Sequence, residues 1–257
     1  MRFFLAGFIL LGIVVTFVIL RTPVSTTTKP TASPTPALSA SRSPPSQSLD
    51  INKNGRTYRV AWFEISDVSA LSLIPNFTQK RTARSLVDNK ECAEVTSGGF
   101  YTKDNQPTGL FINEGKTLRG SIPNTLFNGF FVVDQNNTAS ITSSPPEGTV
   151  GLALQTGPVL IRGGKMLTLA IRDDEFARRV VVGITQKEAV IFLAIYDPEN
   201  SWSGPKLADT PDILSKIIAR LQLKDVLNLD GGSASAFIRE DLSLEELTSV
   251  GGFFCIR

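Results

Sequence analysis

From Arg56 onward the chain alternates short apolar runs with breaks at glycine, proline and asparagine, and most of those runs have the length and composition of strands. The run Arg56-Thr57-Tyr58-Arg59-Val60-Ala61-Trp62-Phe63-Glu64-Ile65 is rich in β-branched and aromatic residues. Residues 130–133 and 140–142 flank Asn136-Asn137, which predicts a hairpin. Residues 151–155 and 159–161 are strands on either side of the break at Thr156-Gly157-Pro158, and 179–185 pairs with 189–196 across Gln186-Lys187-Glu188. Helical spacing occurs at about 80–90, with Ala83, Leu86 and Val87 on one face. It recurs at 211–221, where Thr210 suits the cap, Pro211 the first turn, and Ile213, Leu214, Ile217, Ile218 and Leu221 form a stripe.

Strand 189–196, helix 211–221 and strand 225–229 follow one another as a β-α-β unit, whose strands should run parallel. Asp197 ends the first strand and Asp230 the second, so both carboxylates are expected at one edge of one sheet, where open α/β sheets bind ligands. The expected fold class is α+β: a mixed β-sheet domain with a β-α-β crossover and glycine-rich turns, preceded by a transmembrane helix and a disordered stalk.

That preface comes from the first 49 residues. Phe3 to Leu20 carries no ionisable group and lies between Arg2 and Arg21. As a helix it would span about 27 Å, close to the hydrocarbon thickness of a bilayer. A cleaved signal peptide is the competing reading, although Val18-Ile19-Leu20-Arg21 lacks a small-x-small cleavage site. Residues 22–49 are dominated by Ser, Thr and Pro and have the composition of a linker. The expected organisation is an anchor or signal over 1–21, a linker over 22–49 and a globular domain over 50–257. That domain is expected on the extracytoplasmic face, tethered through residues 3–20, or secreted if the leader is removed.

Charge and rare residues narrow the chemistry. Lys and Arg total 26 against 24 Asp and Glu, with no long basic run, which argues against nucleic acid as a partner. There is no histidine, so Ser-His-Asp triads, Cys-His pairs and HExxH zinc sites are excluded. Cys92 and Cys255 are too few for a structural zinc site. Outside the cytoplasm they could close one disulfide; inside it they would be buried thiols.

The stretch Asn228-Leu229-Asp230-Gly231-Gly232-Ser233-Ala234 ends an apolar strand in an acid and two glycines. Such a turn lets the backbone approach a ligand closely and exposes N–H groups to an anion, though Asp-Gly-Gly also makes ordinary turns. Three more glycine-containing segments accompany it. They are Ser97-Gly98-Gly99-Phe100-Tyr101 with Pro107-Thr108-Gly109 after it, Gly157-Pro158-Val159-Leu160 with Gly164-Lys165, and Arg179 opening the strand to Gly183-Ile184. In this order the segments resemble the phosphodiester glycosidase family, from about residue 93 to about 238. The chain departs from the family pattern at Ser97, where the family has Asn, at Pro198, where it has Gly, and at Ser233, where it has a third Gly.

The resemblance implies a glycosidase-type hydrolase that cleaves a sugar from a phosphodiester in an envelope glycan or glycoconjugate. Its transition state would be oxocarbenium-like, and the departing phosphate monoester needs little protonation, so the lack of histidine is no obstacle. Asp230 is the expected nucleophile or general base, Asp197 its partner, and Arg179 the phosphate ligand, with Arg178 as the competing guanidinium. Ser97, Gly98, Gly99, Gly157, Asn228, Gly231, Gly232 and Ser233 complete the expected substrate site. No metal or cofactor is expected; the minor alternative is a divalent cation held by Asp230, Asp197 and Asn228. From a different class, a non-catalytic carbohydrate- or envelope-polymer-binding module would keep the turns and Arg179 without needing the acids.

Overall fold

The computed structural model describes residues 47–257. Their strands form three sheets, and every pairing in them is antiparallel. The largest sheet has seven strands in the order Ser48–Lys53, Arg56–Ile65, Val190–Tyr196, Arg179–Thr185, Leu223–Gly231, Val159–Arg162 and Lys165–Met166. A five-stranded sheet centres on Glu94–Ser97 and Gly252–Ile256, and another on Leu152–Thr156 and Gly129–Val133.

The mixed sheet of an α+β domain is therefore not what forms. Val190–Tyr196 and Leu223–Gly231 do run in the same direction, because each is antiparallel to Arg179–Thr185. They are not neighbours, since Arg179–Thr185 lies between them. Chain order implies the direction of the two strands but not that the hairpin partner of the first inserts between them. The helical crossover is also slighter than its apolar stripe suggests: Thr210–Ser215 and Ile218–Leu221 are separate short helices. Among the described residues no helix is long and apolar enough to cross a membrane. The apolar 3–20 stretch and the linker up to residue 46 lie outside the described residues.

Antiparallel sheets commonly show one wet face, yet the strands here read as unbroken apolar runs because the large sheet is covered on both sides. On one face Ala61, Phe63, Val180, Val182, Phe192 and Leu229 join Phe131, Phe237 and Phe254 from the other sheets in a shared core. Phe192 lies 5.1 Å from Phe254 and Phe63 lies 4.9 Å from Phe237, ring centre to ring centre. On the other face Val60, Val181, Leu193 and Val226 pack against Ile213, Leu214 and Ile217 of the crossover. Ala83 and Leu86, from the helix Ala83–Asp88, cover the outer side of the sheet that contains Glu94–Ser97.

The predicted hairpins form as Gly129–Val133 with Ala139–Thr142 and as Arg179–Thr185 with Val190–Tyr196. At Gly157 the chain leaves one sheet for another, since Leu152–Thr156 and Val159–Arg162 belong to different sheets. A side chain there would put its Cβ 2.1 Å from the Leu126 carbonyl oxygen, so only glycine fits.

Cys92 and Cys255 form a disulfide with their Cα atoms 5.4 Å apart, closing a separation of 163 residues. The pair is buried behind the helix Ala83–Asp88 and ties the last strand to the turn before Glu94–Ser97. Replacing both cysteines with serine is expected to cost about 2–5 kcal/mol of stability. Denaturant unfolding of both proteins under non-reducing conditions checks this; equal midpoints would contradict it.

Candidate active site

Asp230 sits one residue before the end of Leu223–Gly231. Its strand pairs Val180 with Asp230 and Val181 with Asn228, so Leu229 is the extra residue of a bulge. Bulges re-aim the side chains beside them, and this one falls directly before the acid. Asp230 Oδ1 accepts a hydrogen bond from its neighbour Gly231 N at 2.6 Å. Burial drives the Asp230 pKa up to about 7, against the smaller opposing pull of the Gly231 N–H and the Arg179 charge. Gly231 is required by space: a Cβ would stand 2.6 Å from the Arg178 carbonyl oxygen and 3.2 Å from Arg179 Nη1. Gly232 has φ +63 and donates its N–H to the same Arg178 carbonyl at 2.8 Å, which turns the chain away from the sheet edge.

The two arginines at the start of the neighbouring strand have opposite fates. Arg178 is fully buried and donates to Ser235 Oγ at 2.9 Å, to the Glu245 carbonyl at 2.7 Å and to the Ser235 carbonyl. Its guanidinium also lies over the Trp202 ring, 4.6 Å from the centroid. It is a clasp between loops, with its pKa lowered by burial to about 10. Arg179 faces a cleft instead. Its Nε donates to the Pro205 carbonyl at 3.1 Å, and its Nη2 to the Glu175 carbonyl at 2.6 Å and to Asp174 Oδ1 at 3.3 Å. Nη1 makes no hydrogen bond among the described residues, and the charge of Arg179 acts on Asp230.

The cleft has a volume of about 380 Å³ and brings Asp230, Arg179, Gly231, Gly232 and Ser233 together. Its other wall is the segment 171–177, with Asp173, Asp174 and Glu175. Sequence reasoning passes over these acids. Their run is visible ahead of Arg178-Arg179, but nothing in its spacing says that it folds back over the Asp230 edge.

The remaining expected site residues lie elsewhere. Asp197 does not line the cleft; its Oδ1 accepts from Glu199 N at 2.9 Å and closes its own turn. Ser97 is buried, and its Oγ accepts from Ala236 N at 3.1 Å across the strand pair. A Cβ at Gly98 would lie 3.1 Å from Phe254 and one at Gly99 3.1 Å from Leu154, and Gly99 has φ +72, so this turn is tightly packed and left-handed at Gly99. Tyr101 from that turn donates to the Gly98 carbonyl, and burial, aided by the charge of Asp230, holds its hydroxyl pKa well above the usual value. Asn228 is 1% exposed and its Nδ2 donates to the Gly157 carbonyl at 2.9 Å, so both brace the strand beneath the site. Of the three oxygen donors Asp230, Asp197 and Asn228, only Asp230 lines the cleft. Among the described residues no three or more His, Cys, Asp or Glu group to hold a metal ion.

The sequence pattern of phosphodiester glycosidases matches residues 89–250, a span that contains Asp230, Arg179 and the acidic wall. The chain belongs to the phosphodiester glycosidase family. Among solved structures it is similar to the catalytic domain of zebrafish N-acetylglucosamine-1-phosphodiester alpha-N-acetylglucosaminidase, which is auto-inhibited by a pro-peptide. The identity is 16% and the TM-score 0.64, over 82% of this chain and 81% of that one. A hypothetical protein from Synechocystis is similar at 16% identity and a TM-score of 0.54, over 82% of this chain and 61% of that one. At such identities the likeness speaks to the fold. No curated protein sequence matches the chain.

In this phosphodiester glycosidase domain the elevated Asp230 pKa has a cost in stability. The folded state holds the Asp230 proton up to about pH 7, whereas the unfolded chain releases it near 3.8. Stability therefore falls as pH rises between those values. Asp230→Asn is expected to stabilise the domain at pH 8 by about 2–4 kcal/mol and to have little effect at pH 4. Thermal unfolding of both proteins across that range checks the sign; a variant less stable at pH 8 would refute it.

Proposed function

We propose that the domain hydrolyses the bond between an anomeric carbon and a phosphate oxygen in a sugar 1-phosphodiester. Family membership supports a hydrolase of this class, and the observation that carries the reading is the meeting of Asp230 and Arg179 in one cleft. Arg179 Nη1 would donate to a non-bridging phosphate oxygen and stabilise the charge that grows as the bond to C1 breaks. The phosphate monoester leaves with the bonding electron pair and needs no proton donor. Asp230 would stand at C1, either attacking it as a nucleophile or removing a proton from the water that attacks. In both versions the water oxygen ends on C1 and Asp230 must be ionised. Asp173 and Glu175 offer acceptors for sugar hydroxyls along the opposite wall.

The finer parts of the proposal concern setting and substrate. A buried disulfide suits an oxidising compartment, which favours an extracytoplasmic domain. We place its substrate in an envelope glycan or glycoconjugate, with residues 3–20 as the expected tether to a membrane.

Release of free sugar from synthetic sugar 1-phosphodiesters tests the proposal. Because ionised Asp230 is the active form, kcat/KM should rise with pH through a midpoint near 7 and then level off. Asp230→Asn should lower kcat/KM by about a thousandfold or more, and Arg179→Ala by a factor equivalent to about 3–4 kcal/mol. Full cleavage by Asp230→Asn, or binding without turnover by the wild type, would overturn it. The second of those outcomes is the behaviour of a carbohydrate-binding module.

A further inference from the structure

The acidic wall places a carboxylate where a phosphate-binding cleft would not be expected to have one. The Asp174 side chain is 9% exposed and sits against the Arg179 guanidinium. Its Oδ1 accepts from Leu207 N at 2.8 Å as well as from Arg179 Nη2, and its Oδ2 accepts from Ala208 N at 2.8 Å. With three donors on it, this carboxylate cannot swing aside to make way for an anion.

The consequence falls on Arg179. Its Nε is committed to Pro205, and the Nη2 hydrogens to Asp174 and the Glu175 carbonyl. Both paired edges by which a guanidinium grips a phosphate in bidentate fashion include one of those atoms, unless Nη1 acts alone. Only Nη1, beside Gly231, is left to face the cleft.

We propose that Asp174 sets the charge selectivity of the cleft: by holding Arg179 Nη2 and keeping a fixed negative charge against the guanidinium, it favours a singly charged phosphodiester over a doubly charged phosphate monoester. This rests on the reading that Arg179 receives the substrate phosphate. A diester carries one negative charge, shared by its free oxygens, which Nη1 alone can meet. A monoester carries close to two at neutral pH, and the second would confront Asp174 with Asp173, Glu175 and Asp230 around the same cavity. A terminal sugar 1-phosphate is then a poor ligand, and so is the phosphate monoester released by the reaction.

Dimethyl phosphate and methyl phosphate serve as probes, since they differ in charge and little else. Their binding to the domain is followed at pH 7.5 by NMR titration, which needs no turnover. The wild type should bind dimethyl phosphate about tenfold more tightly than methyl phosphate, the effect of one nearby like charge. Asp174→Asn keeps an acceptor for the Leu207 N–H and should bring that ratio close to one. Asp173→Asn removes an equal charge from the same wall without a contact to Arg179, and should change the ratio less than about threefold. Asp174→Ser, checked for folding by circular dichroism, guards against a misfolded Asn variant. A wild type that prefers methyl phosphate would overturn the proposal, as would equal shifts in Asp174→Asn and Asp173→Asn. Absence of binding by both probes would overturn it together with the phosphate role of Arg179. The expected ratios without any sugar release would leave it standing and defeat only the hydrolase reading.

Discussion

Arg179–Thr185 pairs with Val190–Tyr196 on one side and Leu223–Gly231 on the other, and its register against the second of these governs both the core and the cleft. The register sets Arg179 against Gly231 and Val180 against Asp230, so a cation and an acid from distant parts of the chain meet at one sheet edge. The same register puts Val180 and Val182 into the phenylalanine core and Val181 against the crossover helices. A slip of one residue would exchange those faces and bury a guanidinium in the core, which is why the register tolerates no alternative. The site is thus positioned by the most heavily buried part of the molecule.

Once placed there, each charged group is shaped by how it is desolvated. Asp230 has one backbone donor and the charge of Arg179, with which it shares no hydrogen bond, to offset its burial, so its proton is held to near neutrality. Arg179 is divided between protein acceptors and the cleft, while Arg178, next to it, is wholly consumed by loop carbonyls and Ser235. Adjacent strand residues point to opposite sides, and that alternation separates a structural arginine from one available to a ligand. The segment 171–177 completes the arrangement, joining the start of the crossover to Arg179 through Asp174.

How far the chain could be read depended on the range of the interactions. Local patterns reported correctly on the Asn136-Asn137 and Gln186-Lys187-Glu188 hairpins, on the helix near residue 85 and on the proline-led start of the crossover. The motif order named the family that the match over 89–250 shows. Direction also survived: Val190–Tyr196 and Leu223–Gly231 do run the same way, so their ends do face one edge. Adjacency did not, because a hairpin strand can insert between two strands without leaving any trace in spacing. For the same reason Asp197 was expected beside Asp230 and is instead spent on its own turn.

The sequence by itself determined the two hairpins, the helix near residue 85, the absence of histidine chemistry, and a strand that ends in Asp230 before two glycines. These follow from local periodicity, turn geometry and residue inventory, which do not depend on distant contacts. Tertiary structure alone decided that every strand pair among the described residues is antiparallel, that Arg179 and not Arg178 opens into the cleft, and that Ser97 and Asn228 brace the strands from within. It also decided that Asp174 stands against Arg179. Each of those outcomes turns on which surfaces lose water together, and burial is a property of the assembled sheets, not of any one segment.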